Sequence, residues 1–212
     1  GIEACHGIVD GAKAIFFASS NPPFGERSAA SIIGYASGMD ESIFTAEFCG
    51  GKAGTSAVLA ALDYADRRKE NALVVVSDAP FARVGDSVEH ALGAGAAAFL
   101  VGADAPVEVI ARASAMKEIG AGRISSGGEI KELGIAPFSL MEVESLTRKA
   151  VSLLGEHKFD RVVMPQPDAR LPQRLARKLG LESPEIISSH VGDAGASSIM
   201  IALARAIERS SV

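Results

Sequence analysis

Cysteine and histidine, the side chains best suited to nucleophilic and acid–base chemistry near neutral pH, are few in this sequence: two cysteines, Cys5 and Cys49, and four histidines. A cysteine thiolate is a nucleophile and a metal ligand, and a nearby histidine can act as its base. Cys49 lies just before Gly50-Gly51, so one hypothesis makes it a nucleophile at the mouth of the following helix. The alternative is a small apolar residue buried on a strand, the usual environment of a free cysteine.

Among the histidines, His190 is the best candidate for an acid or base, because it directly precedes the turn Val191-Gly192-Asp193. His90 is expected on the surface or at a helix end. His157 is expected to end a helix, where a positive charge interacts favourably with the helix dipole. Cys5 and His6 are adjacent, but neighbouring side chains of an extended segment point apart, so the two are not expected to form a metal-binding or catalytic pair. Two cysteines also cannot supply a disulfide framework or a four-ligand zinc site, so the sequence predicts no metal.

The composition favours a folded domain, since 48% of the 212 residues are apolar and 22% are charged. With 21 basic against 26 acidic residues and a formal net charge of −5, the chain lacks the basic footprint that nucleic acid requires. The apolar stretch 93–103 is about half of the roughly 20 residues that span a bilayer. No charged-then-apolar leader opens the sequence. These features predict a cytoplasmic protein with no nucleic-acid or membrane partner.

Short apolar runs alternate with longer helical segments, which is the pattern of a parallel α/β sheet. The segment 114–137 is rich in glycine and is predicted to be a loop or mobile flap. Residues 107–113 are predicted to form a strand pair with residues 94–101. Strands are predicted at 14–20, 43–48, 72–77, 94–101, 107–113, 161–164 and 186–189, and helices at 27–37, 52–69, 139–157, 171–179 and 195–209.

An internal duplication divides the chain into two similar parts. Residues 52–65 (KAGTSAVLAALDYA) match residues 193–206 (DAGASSIMIALARA) without gaps at Ala, Gly, Ser, Ala, Leu and Ala, and a glycine precedes each copy. Both helices carry small residues on most faces, as a helix buried between two sheets requires. The prediction is an N-terminal half at 1–113, the loop or flap at 114–137, and a partial C-terminal half at 138–212.

Six further strings stand in a characteristic order along the chain: FFASSNPPFGERSAASIIGYASG, AEFCGGKAGTSAVLAALDYA, ALVVVSDA, GAGAAAFLVG, VVMPQPDARLPQRLARKLG and HVGDAGASS. Together with two α/β halves that each place a glycine turn before an alanine-rich helix, they resemble the thiolase superfamily, and the hydroxymethylglutaryl-CoA synthase branch in particular. The resemblance implies a five-layered αβαβα fold, a dimer, and acyl-CoA substrates joined by a Claisen-type condensation, with no cofactor beyond the CoA thioester.

The chemistry of that family needs a cysteine to be acylated, a glutamate to move a proton and a histidine to polarise the second acyl-CoA, usually with an asparagine. The resemblance places these residues at Gly51, Ser20, Pro165 and Asp193, so all four are substituted. Glycine has no nucleophilic atom, so no acyl-cysteine can form at position 51. A CoA cleft lined by these four positions and Lys52 is still expected, because it depends on shape and backbone donors.

Three hypotheses follow. In the first, the chain binds acyl-CoA and acts as a subunit or in chemistry that needs no acyl-cysteine. In the second it is an active condensing acyltransferase that uses Cys49, and in the third it is a structural dimer without a ligand.

The resemblance also implies a homodimer or hetero-oligomer, with a small OB-fold protein that handles CoA as a further partner. The family's first half opens with a strand and a helix, and its second half closes with a strand pair. Both are absent from this sequence, so we expect a longer polypeptide or another chain to supply them.

Overall fold

The computed structural model describes residues 1–117, 122–126, 129–133 and 136–210. Short 3-10 turns occupy Glu3–Cys5 and Glu89–Ala91. The strands are β1 (Ala12–Ser19), β2 (Phe44–Cys49), β3 (Asn71–Asp78), β4 (Gly95–Val101), β5 (Gly122–Ser126) and β6 (Glu129–Leu133), and the helices are α1 (Ala29–Ala36), α2 (Ala53–Arg68), α3 (Ala136–Leu154), α4 (Arg170–Leu179), α5 (Ser188–Val191) and α6 (Ala196–Ser210).

The first four strands form one sheet in the order β2-β1-β3-β4. Strand β1 pairs in parallel with both β2 and β3, whereas β4 pairs antiparallel with β3. The central strands β1 and β3 are almost continuously apolar, and residues such as Ile15 and Leu73 are fully buried. Such runs suit strands that are covered on both faces. The alternation of strand and helix therefore predicted the sheet, but the sheet is mixed rather than wholly parallel.

Each face of this sheet carries its own apolar layer, because alternate residues of a strand point to opposite faces. On one face, α2 and α6 pack against Phe16, Val74 and Val76. Their small residues allow this close approach: a Cβ on Gly54 of α2 would lie 3.0 Å from Met200 Cγ of α6. On the other face, the residues that pack around Ile15 and Leu73 include Cys5, Phe17, Ala29, Ala30, Ile33 and Val75.

Two predicted strands are absent from the described residues. Residues 107–113 form no strand, and Val109 and Ile110 are 49% and 78% exposed. Strand β4 instead pairs with β3, so the predicted pairing of 94–101 with 107–113 is wrong. The predicted strand at 186–189 overlaps the short helix α5, and the predicted strand at 161–164 is reduced to a single bridge between Val162 and Pro184.

The prediction of a loop over 114–137 agrees with residues 114–117, which form no helix or strand, and is wrong for the other described residues of the segment. Strands β5 and β6 form an antiparallel pair, and α3 already begins at Ala136. The two strands are separated in the sequence by Gly127-Gly128, a dipeptide that is a signal for a tight hairpin. The part of the prediction that falls on 118–121, 127–128 and 134–135 lies outside the described residues. The division into halves at 113 and 138 stays a prediction.

No helix within the described ranges is both long enough and apolar enough to cross a membrane. The location in the cytoplasm stays a prediction.

Candidate functional site

The carboxyl ends of three parallel strands meet at one edge of the sheet. Ser19, Cys49 and Asp78 are the last residues of β1, β2 and β3. Helix α2 begins four residues after Cys49, so its N-terminus also lies at this edge. Ligands of open α/β sheets bind beyond the carboxyl ends of the strands. This edge is therefore the candidate site.

The turn between β2 and α2 contains two glycines with different roles. Gly50 has φ +106°, in the region that favours glycine, and its N–H donates to the Ser19 carbonyl oxygen at 3.1 Å. Gly51 has no positive φ, and a Cβ built on it would have no atom of the described structure within 4 Å. Position 51 thus faces open space and can take a side chain without a clash. Lys52, the N-cap residue of α2, is exposed.

A buried carboxylate organises the edge. Asp78 is 4% exposed. Its Oδ1 accepts hydrogen bonds from Ser19 Oγ at 2.6 Å, from the Ser20 N–H at 2.8 Å and from the Asn21 N–H at 3.1 Å. Its Oδ2 accepts from the N–H of Ala196, the first residue of α6, at 2.8 Å. One side chain therefore joins the end of β1 to the start of α6.

Two of the predicted site residues meet at Gly195. This glycine has φ +59°, and a Cβ on it would lie 2.2 Å from Ser20 Oγ and 2.9 Å from Asp78 Oδ2. The Gly195 N–H donates to Oδ1 of Asp193 at 3.0 Å, and Asp193 is 5% exposed. The structure thus brings Ser20 and Asp193 to the same turn, together with a carboxylate that the sequence argument had missed.

The turn before α6 also lies directly against the segment before β4. The Asp193 N–H donates to the Ala91 carbonyl oxygen at 2.7 Å, and the Gly93 N–H donates to the Asp193 carbonyl oxygen at 3.0 Å. A Cβ on Gly93 would lie 1.7 Å from the carbonyl oxygen of Val191. Only glycine allows the two backbones to come this close.

The two cysteines have opposite environments. Cys49 is exposed, so the alternative of a buried apolar residue is wrong, and its role as a nucleophile stays a prediction. Cys5 is buried, and its thiol donates to the Gly1 carbonyl oxygen at 3.2 Å. Burial raises the pKa of the Cys5 thiol, which keeps it protonated at neutral pH. Of the two, only Cys49 is accessible to a substrate.

Pro165 is exposed, whereas the next residue, Gln166, is buried and anchors this segment by hydrogen bonds. Gln166 is 2% exposed, and its Nε2 donates to the Glu185 carbonyl oxygen at 2.6 Å. Its Oε1 accepts from the N–H groups of Ile187 at 2.8 Å and Ser188 at 3.1 Å. The side-chain amide thus fixes the segment around Pro165 against residues 185–188.

His190 lies in α5 and is exposed, with Nδ1 3.0 Å from Ser189 Oγ. The hydrogen bonds of the described residues link neither His190 nor Pro165 to Ser20, Gly51 or Asp78. Their roles in a shared cleft stay predictions. Within the described part of the chain, no group of three or more His, Cys, Asp or Glu residues is arranged to hold a metal ion.

A cavity of about 570 Å³ lies at the opposite end of the sheet, where β1 and β2 begin and α2 ends. Its lining includes Lys13, Asp40, Tyr64, Arg68 and Glu70. Partial desolvation, and the hydrogen bond of 2.8 Å that Tyr64 donates to Glu70, raise the pKa of the Tyr64 hydroxyl. This cavity is open, carries charges of both signs and does not include any predicted site residue.

No family model matches the chain. Its curated relatives are hydroxymethylglutaryl-CoA synthases. The Thermoplasma volcanium protein is 26% identical over 216 residues, which cover 93% of this chain and 60% of the relative. The Archaeoglobus fulgidus protein is 27% identical over 212 residues, which cover 92% and 60%. The Pyrococcus furiosus protein is 35% identical over 113 residues, which cover 48% and 32%. The chain spans about 60% of the length of the first two.

Solved structures of similar proteins match the fold of this chain. A variant of OleA from Xanthomonas campestris with bound lauric acid and lauroyl-CoA matches with a TM-score of 0.82 and 16% identity, over 100% of this chain and 74% of that one. The HMG synthase of the curacin biosynthetic pathway, in complex with acetyl donor-ACP, matches with a TM-score of 0.79 and 20% identity, over 97% and 60%. An HMG-CoA synthase complexed with CoA matches with a TM-score of 0.79 and 14% identity, over 95% and 58%.

The chain therefore has the thiolase-like fold, which confirms the predicted fold class. Within that class, its sequence is similar to hydroxymethylglutaryl-CoA synthases over nearly its whole length, as the motifs predicted.

Proposed function

We propose that this chain binds acyl-CoA at the carboxyl edge of its sheet and forms no acyl-cysteine at position 51. It acts as a subunit of an acyl-CoA assembly, or in acyl-CoA chemistry that needs no covalent acyl-enzyme. The observation that carries the proposal is Gly51. It lies at the mouth of α2, where the resemblance expects the nucleophile, and it faces open space instead of a thiol.

Other features of the edge support a CoA ligand. The N-terminus of α2 favours negative charge, and the exposed ammonium of Lys52 is available to a phosphate. The turn before α6 carries the small residues Ala194 and Gly195 rather than bulky side chains. The bound lauroyl-CoA of the OleA structure and the bound CoA of the HMG-CoA synthase structure agree with this ligand class.

A second candidate function uses Cys49 as the nucleophile of an active condensing acyltransferase. Its exposure at the end of β2, two residues before Gly51, favours this alternative. In that reaction the Cys49 thiol gives up its proton and its sulfur attacks the thioester carbonyl. The bond from the carbonyl carbon to the CoA sulfur then breaks, and the departing CoA sulfur takes up the proton. The two candidates therefore differ in whether acyl-CoA leaves a covalent adduct on the unmodified chain.

The test combines ligand-induced stabilisation with intact-mass spectrometry in acetyl-CoA and acetoacetyl-CoA. The unmodified chain should gain about 2.7 kcal/mol of stability at a ligand concentration of 100 Kd and should carry no acyl adduct. The variant Gly51→Cys should gain an acyl adduct, and the matched variant Gly51→Ala should not. An adduct on Cys49 of the unmodified chain would establish the alternative. An unfolding temperature that neither thioester raises would refute acyl-CoA binding.

We also propose that the chain assembles with a second copy or with another acyl-CoA-associated protein. Strand β2 lies at the edge of the sheet, and its first residue, Phe44, is 52% exposed. An edge strand offers its outer backbone groups to another chain. The predicted OB-fold protein, and an acyl carrier protein of the kind bound to the curacin synthase, are the partners to test. Light scattering over a range of concentrations checks self-association, and a monomer at every concentration would leave only a hetero-oligomer.

A further inference from the structure

The Asp78 carboxylate has an unusual set of partners for a buried charge. Its four hydrogen bonds come from one hydroxyl and three backbone N–H groups, and no lysine or arginine contributes among the described contacts. Hydrogen bonds to an ionised carboxylate are about twice as strong as neutral ones. The N-terminus of α6 adds a favourable dipole at Oδ2. The charge is therefore compensated by oriented donors rather than by a counter-ion.

Those donors belong to two segments that are far apart in the sequence. Oδ1 binds the turn that follows β1, at residues 19–21, and Oδ2 binds Ala196, which is 118 residues away from Asp78. Between the two segments, Ser20 Oγ lies directly over Gly195, where a Cβ would come within 2.2 Å. The carboxylate thus sets the distance between Ser20 and the first turn of α6.

We propose that Asp78 is the positioning residue of this site: it fixes Ser20 and the start of α6 as one rigid wall of the acyl-CoA cleft. A carboxylate has two accepting oxygens and can serve both segments at once. An asparagine has only one, so its amide group would face a donor on one side. The role in ligand binding rests on the proposed function, whereas the fixed geometry of the two segments does not.

The experiment compares Asp78→Asn with Glu185→Gln. Glu185 is a matched control, because its carboxylate is also buried and also binds α6, through Arg205 and Arg209 near the helix end. Amide hydrogen exchange is followed at Ser20, Asn21 and Ala196, and the dissociation constant of acetyl-CoA is measured by calorimetry. Both variants should lower the unfolding temperature, so stability alone does not distinguish a positioning role.

In Asp78→Asn, amide exchange should accelerate about tenfold on at least one side of the contact, as expected for the loss of about one hydrogen bond. The acetyl-CoA dissociation constant should rise by about the same factor. Glu185→Gln should leave both quantities unchanged at a comparable loss of unfolding temperature. Unchanged exchange in Asp78→Asn, or a change in affinity that follows unfolding temperature equally in both variants, would overturn the proposal.

Two further results keep the test decisive. If Asp78→Asn does not fold, Ser19→Ala removes the hydroxyl bond to Oδ1 and the bond that Ser19 Oγ accepts from the Asn21 N–H at 3.1 Å. Exchange at Ser20 and Ala196, which do not bond to that hydroxyl, should then change in the same direction by a smaller factor. If the unmodified chain binds no acetyl-CoA, the proposed function fails, and hydrogen exchange alone decides whether Asp78 fixes the two segments.

Discussion

Replacing Gly93 by alanine should destabilise the chain more than any ordinary surface substitution. The Cβ of Gly93→Ala would lie 1.7 Å from the Val191 carbonyl oxygen, 2.7 Å from its carbonyl carbon and 3.0 Å from the Cα of Gly192. All three are backbone atoms, so no side-chain rotation can relieve the overlap. The two backbone segments must move apart instead.

The magnitude follows from what that movement breaks. Two hydrogen bonds join the segments, from Asp193 N–H to Ala91 and from Gly93 N–H to Asp193. Losing them costs about 1 kcal/mol each, and overpacking adds about 1–3 kcal/mol. The expected loss is therefore about 3–5 kcal/mol, a large part of the free energy of unfolding of a domain. For a chain of this length it lowers the unfolding temperature by about 6–20 °C.

The assay is urea denaturation of Gly93→Ala beside the control Gly25→Ala. Gly25 has no positive φ, and a Cβ on it would meet no atom within 4 Å, so the control should lie within about 0.5 kcal/mol of the unmodified chain. A loss below about 1 kcal/mol in Gly93→Ala would refute the backbone contact between the two segments.

Three further predictions concern other parts of the chain. Iodoacetamide should modify Cys49 but not Cys5 in the native state, because Cys49 is exposed and burial raises the pKa of the Cys5 thiol; intact mass counts the adducts. Gln166→Ala should lower the free energy of unfolding by about 1–3 kcal/mol, because it leaves three backbone groups without their partner; urea denaturation measures this loss. The hydrogen bond from Lys178 holds the pKa of the Glu144 carboxyl below its ordinary value. The stabilisation that the ionised Glu144 carboxylate provides is complete at a pH above the ordinary carboxyl pKa, and it is lost as the pH falls through the lower pKa of the native state. The free energies of unfolding of Glu144→Gln and of the unmodified chain, measured across pH, should therefore converge in acid.

Each of these has a result that would count against it. Two adducts on the native chain would mean that Cys5 is accessible. A Gln166→Ala variant as stable as the unmodified chain would mean that residues 185–188 keep their hydrogen bonds without the amide. A difference between Glu144→Gln and the unmodified chain that stays constant with pH would mean that the Glu144 charge does not stabilise the fold.

The sequence predicted the main sheet well, because its strands are strongly apolar and each is followed by a clear glycine or proline signal. The predicted strand at 72–77, for example, differs by one residue at each end from β3. The predictions of secondary structure fail where the pattern of apolar residues does not match what the fold buries. Residues 107–113 largely alternate between apolar and polar side chains, as a strand does. Val109 and Ile110 nevertheless remain exposed, so pairing of this segment is not stabilised by burial of an apolar face. The hairpin β5–β6 was missed because the segment is rich in glycine and its two short runs, GRISS and EIKEL, carry few large apolar residues.

The candidate site was predictable in part. The resemblance placed Ser20 and Asp193 in one cleft, and the structure does bring these two residues together at Gly195. Asp78 was not predicted, although an acidic residue directly after a buried apolar strand is a visible signal in ALVVVSD. Its importance depends on Ala196, and no local pattern connects two residues 118 positions apart.

The packing of α6 on the sheet also constrains how the chain is made. All four strands of the main sheet are encoded before residue 102, whereas the helix that completes the cover of one face begins at Ala196. A nascent chain emerging from the ribosome can therefore form the sheet while the apolar surface around Val74, Val76 and Ala97 is not yet covered by α6. Apolar surface that is exposed transiently during folding is prone to aggregation, so we expect this face to be the vulnerable one before α6 has packed.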